Sequence, residues 1–202
     1  ETQAAAFTVT QIAGFSNNAA SAFGATQVAA MSTTQVRAFS ATQLSALDTT
    51  DMTEFTETQI GNLTTTQVQG LSHTNLAALL ETQVAALSAA QVQAVSTTGI
   101  ANLTETQVGA LTTTQVAAMS TQQVRSLTET NLSALASDQV AAMTATQVSS
   151  LTVTQLNALT TADVGEFSAG QVAALTATQV QGLNATVVGD FTETQVAALR
   201  TT

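Results

Sequence analysis

The sequence predicts an all-α solenoid built from very short helices, with one helix in every eight residues. Two observations predict this fold class: an unbroken eight-residue period and a helix-start signature inside each period. The period runs from Phe7 to Leu199 in steps of eight, and every position reached is apolar. A second apolar column, offset by five residues, runs from Ile12 to Val196. A fixed period over the whole chain is typical of repeat architectures.

We number each octad from the residue of the first apolar column, as in the octad Phe191 to Ala198. Position 1 is Leu, Phe or Met in most octads, position 2 is Ser or Thr, position 5 is Gln and position 6 is Val, Ile or Leu. Position 4 is usually Thr, and positions 3, 7 and 8 vary more.

Neither an unbroken strand nor an unbroken helix fits this spacing. In a strand, residues five apart lie on opposite faces, so Leu103 and Val108 could not share one core. In a continuous α-helix, eight residues overshoot two turns by roughly 80°, so the apolar stripe would spiral around the rod. We therefore expect a helix that begins afresh in every octad.

The polar residues of each octad supply the start signal for such a helix. Ser or Thr followed three residues later by Gln is a capping box, as in Thr56 with Gln59 and Thr104 with Gln107. In that motif the hydroxyl accepts from the amide of the third helical residue, and the Gln side chain reaches back to the amide of the cap.

The apolar residues at positions 1 and 6 occupy the two places of a hydrophobic staple, as in Leu103 with Val108 and Phe191 with Val196. Staple residues contact each other across a helix start. Isolated helices of one or two turns are unstable in water because their nucleation is unfavourable. Stability must therefore come from the stacking of neighbouring octads.

A weaker period of 24 residues predicts how the octads stack. It appears in four acidic residues at position 3 that are spaced by 24, which are Glu57, Glu81, Glu105 and Glu129. Three octads would then make one coil, with the helices on three sides pointing their apolar residues into a central core. The alternative is duplication of a three-octad gene segment without a matching coil.

The period has no break, so residues 1–202 are predicted to form a single continuous solenoid. The sequence begins in the middle of an octad, with Glu1-Thr2-Gln3, and we expect it to be a segment of a longer array. Local fraying is expected where the cap hydroxyl or the back-reaching amide is missing, at Leu80, Ala136, Gly99 and Val187. Gly70 and Gly182 fall at the ends of octads, where glycine often terminates a helix.

Composition bears on partners and chemistry. The 202 residues contain three Lys and Arg against 13 Asp and Glu, a formal charge of −10, which argues against nucleic acid or anionic membranes as partners. The chain has no Cys, so disulfides and Cys-based metal sites are excluded. No apolar run approaches the roughly 18 residues needed to span a bilayer, and membrane insertion is not expected.

No residue constellation predicts catalysis, a cofactor or a metal site. His73 is the one histidine and falls in a variable helical position, where a solvent-exposed role is expected. Arg37, Arg125 and Arg200 are the only cations, and we expect them to be solvated. The chain is therefore predicted not to be an enzyme.

The 24-residue column of glutamates is interpreted as a set of helix-start carboxylates, which the helix dipole favours. A calcium ladder is not expected, because calcium takes six to eight oxygens at 2.3 to 2.6 Å and stacked helices lie about 8 to 10 Å apart. The Thr-x-Thr pattern of Thr64 to Thr66 resembles the threonine arrays of ice-binding solenoids, but its first hydroxyl is already explained as a cap.

The Leu-Ser/Thr-x-Thr-Gln-Val-x-Ala octapeptide resembles the Thr/Ala/Gln-rich repeat regions of large bacterial secreted and cell-surface proteins, over nearly the whole chain. This resemblance implies an acidic extracellular array acting as a stalk, spacer or matrix component. It supplies no functional residues to carry over.

The function predicted from these features is that of a non-enzymatic structural repeat protein, extracellular or on the cell surface. End-to-end self-association into fibres is a further expectation, because the chain shows no polar terminal repeats. The alternative is a repetitive array that binds ice, a glycan or a cation through its Thr and Glu columns.

Overall fold

The computed structural model describes residues 2–199, and in this part of the chain each octad folds as one helix. The helices are four to seven residues long, and the described residues form no β-strand. The all-helical repeat fold predicted from the octad period is thus confirmed. The chain divides into two compact units, Glu1–Leu103 and Thr104–Thr202, and the boundary falls between positions 1 and 2 of an octad, just before the N-cap residue of α14. The single solenoid over 1–202 stays a prediction.

The first unit contains thirteen described helices: α1 (Thr2–Ala5), α2 (Val9–Ala13), α3 (Asn17–Ala20), α4 (Ala25–Ala29), α5 (Thr33–Val36), α6 (Ala41–Ser45), α7 (Thr49–Thr53), α8 (Glu57–Gly61), α9 (Thr65–Gly70), α10 (His73–Ala78), α11 (Glu81–Ala86), α12 (Ala89–Ala94) and α13 (Thr97–Ala101).

The second unit contains twelve described helices: α14 (Glu105–Gly109), α15 (Thr113–Ala118), α16 (Thr121–Ser126), α17 (Glu129–Ser133), α18 (Ser137–Ala141), α19 (Ala145–Ser150), α20 (Val153–Asn157), α21 (Thr161–Glu166), α22 (Ala169–Ala173), α23 (Ala177–Gly182), α24 (Ala185–Asp190) and α25 (Glu193–Leu199).

Most helices begin at the predicted capping box. Before α9, Thr64 has an extended backbone, and its Oγ1 accepts from the Gln67 N–H at 3.1 Å. The Thr64 N–H donates to Gln67 Oε1 at 2.8 Å. Two of the four amides that a helix start leaves unpaired are satisfied in this way.

The helices end two to four residues before the next N-cap residue. After α9, the Leu71 N–H donates to the Val68 carbonyl at 3.2 Å, and Leu71 itself is extended, with φ −62° and ψ 136°. Two successive extended residues, at positions 1 and 2, therefore turn the chain toward the next helix. No residue from 2 to 199 has a positive φ, so the turns do not require glycine.

Within each unit, a helix packs on the third helix after it. In the first unit α6 contacts α9, which contacts α12. In the second unit α16 contacts α19, and the same step leads to α22 and α25. Helices that stack are thus separated by three octads, which confirms the 24-residue coil within each unit.

The two apolar columns form the core of each unit. Position 6 is almost fully buried in the interior coils, as at Val68 and Val140, which are both 0% exposed. Position 1 is buried as well, as at Leu71 and Met143. The staple pair of each octad therefore also supplies the contacts between octads, and tertiary burial stabilises helices too short to persist alone.

Glycine at position 8 permits a close approach of stacked helices. A Cβ on Gly70 would lie 2.5 Å from the Cβ of Ala41, and a Cβ on Gly182 would lie 2.6 Å from Cγ1 of Val153. In both pairs the partner is at position 3, in the helix packed from the preceding coil. The helices α9 and α23 end at Gly70 and Gly182, as the sequence suggested, and the close contact adds a steric reason for glycine at these two positions.

The octads with a missing cap or amide still form helices of ordinary length. The α11 helix has Leu80 at its N-cap and no side-chain cap bond, yet it spans six residues. The Leu80 N–H donates to Gln83 Oε1 at 2.7 Å, so half of the box remains. Packing of α11 on α8 supplies the rest of the stabilisation. The fraying expected at Leu80 is not observed.

Substituting alanine for glycine tests the helix packing. Gly182→Ala should lower the free energy of unfolding by about 1–3 kcal/mol, because the new methyl overlaps Val153. The matched control is Gly165→Ala in α21, where a Cβ meets nothing within 4 Å. Gly165→Ala should raise the free energy of unfolding by up to about 1 kcal/mol, because alanine has a higher helix propensity than glycine.

Urea unfolding of the two variants measures both effects. The double variant Gly182→Ala with Val153→Ala should recover most of the loss, since it removes the overlapping methyl groups. Equal stabilities for Gly182→Ala and Gly165→Ala would contradict the close packing of α20 against α23.

Candidate functional site

A column of buried glutamines at position 5 connects successive coils within each unit. Gln59 shows the arrangement: its N–H donates to Thr56 Oγ1 at 3.2 Å, and its Oε1 accepts from the Thr56 N–H at 2.9 Å. Its Nε2 donates to the carbonyls of Val28 and Met31 at 2.7 and 2.8 Å. One side chain therefore caps its own helix and also donates hydrogen bonds to two backbone carbonyls at the end of a helix in the preceding coil.

The same connection recurs along both units. The acceptors lie 31 and 28 residues before the glutamine, at position 6 and at position 1. In the first unit the donors include Gln35, Gln43, Gln59, Gln67, Gln83 and Gln91. In the second unit they include Gln139, Gln147, Gln155, Gln171, Gln179 and Gln195. We call this set the glutamine ladder.

The ladder requires a carboxamide. A carboxylate could complete the capping box equally well, but it has no N–H to donate to the carbonyls of the preceding coil. No Glu occurs at position 5 in any octad, although Glu is frequent at position 3. That absence is the sequence signal for the ladder, and reasoning from the capping box alone missed it.

Two aspartates replace glutamine in the ladder, and each accepts a hydrogen bond from a serine hydroxyl of the preceding coil. Ser21 Oγ donates to Asp51 Oδ2 at 2.8 Å. Ser137 Oγ donates to Asp163 Oδ1 at 3.5 Å, where the carboxylate is only 2% exposed. At these octads the donor and acceptor roles are reversed, so the connection between helices persists in another form.

Position 3 carries the glutamate column, at the first helical residue and in solvent. Glu57 and Glu81 are exposed on α8 and α11, which contact each other. Glu105 and Glu129 are exposed in the same way on α14 and α17 of the second unit. Among residues 2–199, no three His, Asp or Glu side chains lie close enough together to hold a metal ion.

The histidine and the arginines are dispersed along the described part of the chain. His73 is exposed at the first residue of α10, as the sequence predicts. Arg37 and Arg125 are exposed at position 7 of their octads, and Arg200 lies outside the described residues. Within the part of the chain that the structure describes, no helix is both long and apolar enough to span a membrane.

Glu54 lies in a partly enclosed environment. It is half-buried at the end of α7, and within the described residues its Oε2 is enclosed without a hydrogen-bond partner. Burial raises the pKa of Glu54, the charges of Asp51 and then Asp48 raise it further, and a hydrogen bond from the Ala25 N–H partly offsets these effects. Glu54 therefore has a structural role. It accepts a hydrogen bond from the Ala25 N–H at the start of α4, where Gly24 has no side chain that could cap the helix.

These features define the class of the protein as a helical repeat protein whose octads are linked by buried glutamines. The family model of the ALTTAQ repeat matches residues 84–121, a short part of the chain. This stretch contains Ala110-Leu111-Thr112-Thr113-Thr114-Gln115, which differs from the six letters of the repeat at one position. The match supports a repeat region of this kind. A comparison with curated proteins found no match.

Replacing a ladder glutamine by glutamate tests the requirement for an amide donor. Gln147 is 1% exposed, and its Nε2 donates to Val116 and Met119 carbonyls at 2.8 and 2.7 Å. In Gln147→Glu the buried carboxylate would face these oxygens without a proton to donate. We expect a loss of at least about 2 kcal/mol in the free energy of unfolding near neutral pH.

The matched control is Gln11→Glu, which changes an exposed glutamine of the same column. Its effect should stay within about 0.5 kcal/mol, as is usual for surface substitutions. Chemical denaturation of both variants provides the comparison, and similar losses would show that the capping box alone explains the column.

Stability against pH tests the environment of Glu54. Because the pKa of Glu54 is raised in the folded state above its usual value of 4.5, the folded protein binds that proton more tightly than the unfolded chain. Its contribution is therefore most favourable below pH 4.5 and is lost as the pH rises through the folded pKa. We expect Glu54→Gln to melt at a higher temperature than the unmodified chain at pH 7.

Below pH 4.5 the advantage of Glu54→Gln should disappear. Glu57→Gln, at an exposed first helical position, is the control and should lose a few tenths of a kcal/mol near pH 7 because a favourable helix-start charge is removed. A Glu54→Gln variant less stable than the parent at pH 7 would refute this account.

Proposed function

We propose that this chain is a non-enzymatic structural repeat protein, acting outside the cell or at its surface as a stalk, spacer or filament-forming scaffold. The observation that supports this most directly is the glutamine ladder. In both units, buried glutamines at position 5 join one coil to the preceding one. The buried polar groups therefore link successive coils of the array.

The exposed side chains support the same proposal. Position 4 presents Thr in most octads, and the charged residues are spread along the helix starts. A catalytic centre needs several polar groups converging on one point. The exposed His73 and the separate Arg37 and Arg125 do not provide such a group.

An extracellular location is supported by composition and by resemblance. The chain has no Cys and a formal charge of −10, both compatible with the repeat regions of bacterial secreted and cell-surface proteins that its octapeptide resembles. A strongly acidic surface also disfavours nucleic acid as a partner, through repulsion of phosphates.

A coil insertion tests the spacer proposal. A second copy of residues 144–167, which have the length of three octads and keep the octad phase, would be inserted after Phe167 in the second unit. Spin labels on Thr146→Cys and Thr194→Cys report the distance across the insertion, and the chain has no other cysteine. The distance should increase by about 8–10 Å, one helix-packing spacing, with the helical spectrum unchanged.

The control is an insertion of one and a half octads, which shifts position 1 into the place of position 5. It should destabilise the unit, because apolar and polar columns no longer align. If the complete coil were inserted, the fold retained and the distance unchanged, the spacer proposal would fail.

A repetitive binding surface is the second candidate. The observation that favours it is the set of exposed position 4 hydroxyls in contacting helices, such as Thr58 on α8 and Thr82 on α11. If this surface binds calcium together with Glu57 and Glu81, millimolar calcium at constant ionic strength should raise the melting temperature. The rise should vanish when both glutamates are changed to Gln.

A further inference from the structure

In the first unit, the glutamine ladder holds the turns between helices at two of the three corners of the coil. One corner includes the turns α5–α6 and α8–α9, and another includes the turns α4–α5 and α7–α8. Each of these turns accepts two hydrogen bonds from one buried glutamine of the following coil, on the carbonyls of positions 6 and 1. The four donors are Gln59, Gln67, Gln83 and Gln91.

The third corner, formed by the turns α3–α4, α6–α7 and α9–α10, is different, and we call it the open corner. The position 5 residues that belong to it are Asp51, Asn75 and Gly99. A carboxylate and a glycine have no side-chain N–H to donate. Asn75 is one methylene shorter than glutamine, and within the described residues its Nδ2 donates to a single carbonyl, that of Leu47, at 2.7 Å. The α6–α7 turn therefore has one ladder bond, and the α9–α10 turn has none.

Apolar packing takes the place of the ladder at Gly99. A Cβ on Gly99 would lie 2.7 Å from Cδ1 of Leu76 and 2.8 Å from Cγ1 of Val95, so these side chains fill the space that a longer residue would need. The start of α13 is retained, because Ser96 Oγ accepts from the Gly99 N–H at 3.0 Å. The core is therefore closed at the α9–α10 turn, but the directional bond to the next coil is missing there.

Other bonds hold the α3–α4 turn. Ser21 Oγ donates to Asp51 at 2.8 Å, and the Ala25 N–H donates to the carboxylate of Glu54. These bonds are accompanied by repulsion, because Asp48, Asp51 and Glu54 follow one another at intervals of three around α7. The open corner is thus graded, with substitute bonds at the α3–α4 turn, one ladder bond at the α6–α7 turn and none at the α9–α10 turn.

We infer that the open corner is a yielding side of the first unit, and that the α9–α10 turn opens locally before the turns at the other two corners. Helices this short do not persist alone, so each turn depends on its bonds to the neighbouring coils. A turn with fewer buried hydrogen bonds costs less free energy to open. Two bonded corners keep the coils in register while the third yields. This property goes beyond the proposed scaffold function, and its test does not depend on that function.

Amide hydrogen exchange of the 202-residue chain tests the inference. The position 1 amides report on the turns: Leu63 donates to Ile60 at 3.1 Å and Leu71 to Val68 at 3.2 Å, and both leucines are buried. After correction for intrinsic rates, Leu71 should exchange at least about ten-fold faster than Leu63, with Leu47 between them. Leu71 lies further from both ends of the sequence than Leu63, so fraying from the ends cannot produce this order.

Two reciprocal variants change the ladder by one methylene. Asn75→Gln should let the carboxamide reach the Leu44 carbonyl as well as that of Leu47, and exchange at Leu47 should slow several-fold. The matched change is Gln91→Asn, which shortens the donor to the α8–α9 turn and should speed exchange at Leu63 several-fold. Both variants keep a carboxamide for the capping box, and circular dichroism should show an unchanged helical spectrum.

Equal corrected exchange rates at Leu71 and Leu63 would overturn the inference. So would a shift in the same direction for the two variants, each measured at its own turn. If Asn75→Gln failed to fold, Gln91→Asn alone would decide, because unchanged exchange at Leu63 would show that the ladder does not control the turns. The coil insertion measures a distance and the exchange rates measure local opening, so failure of the spacer proposal and failure of this inference are distinguishable.

Discussion

The hydrogen bonds from the buried glutamine carboxamides to the carbonyls of the preceding coil are the interaction on which each unit depends. A helix of five residues consists almost entirely of its two ends, and an α-helix leaves four amides and four carbonyls unpaired. The capping box satisfies amides at the start, and the ladder reaches carbonyls at the end of a helix 31 residues earlier. Without both, burying such short helices would leave too many unpaired polar groups.

The octad period, the caps and the apolar columns could be predicted from the sequence, because each is local or strictly periodic. The three-octad coil followed from the spacing of Glu57 and Glu81 and is confirmed by the contact of α8 with α11. The ladder could not be predicted from its acceptors, since these are backbone carbonyls, which every residue type carries. Only the lack of Glu at position 5 indicated that a donor was needed.

The irregular octads show how the coil tolerates changes. Asp51 and Asp163 lack the amide donor of glutamine. Each instead accepts a hydrogen bond from a serine hydroxyl of the preceding coil, so a bond between coils is kept at both octads. The sequence predicted fraying at Leu80 from local capping alone. The helix α11 forms there all the same, with the Leu80 N–H bonded to Gln83 Oε1 and the helix packed on α8.

The turns between helices use only extended and right-handed backbone, with no positive φ from residue 2 to residue 199. The backbone conformation of these turns therefore does not require glycine at any position in that range. Segments that begin and end in the same octad phase can be exchanged or copied in frame without meeting a conformational barrier at their junctions. Recombination within the gene could alter the number of octads freely, and selection would act on the length of the product and on the packing of its side chains.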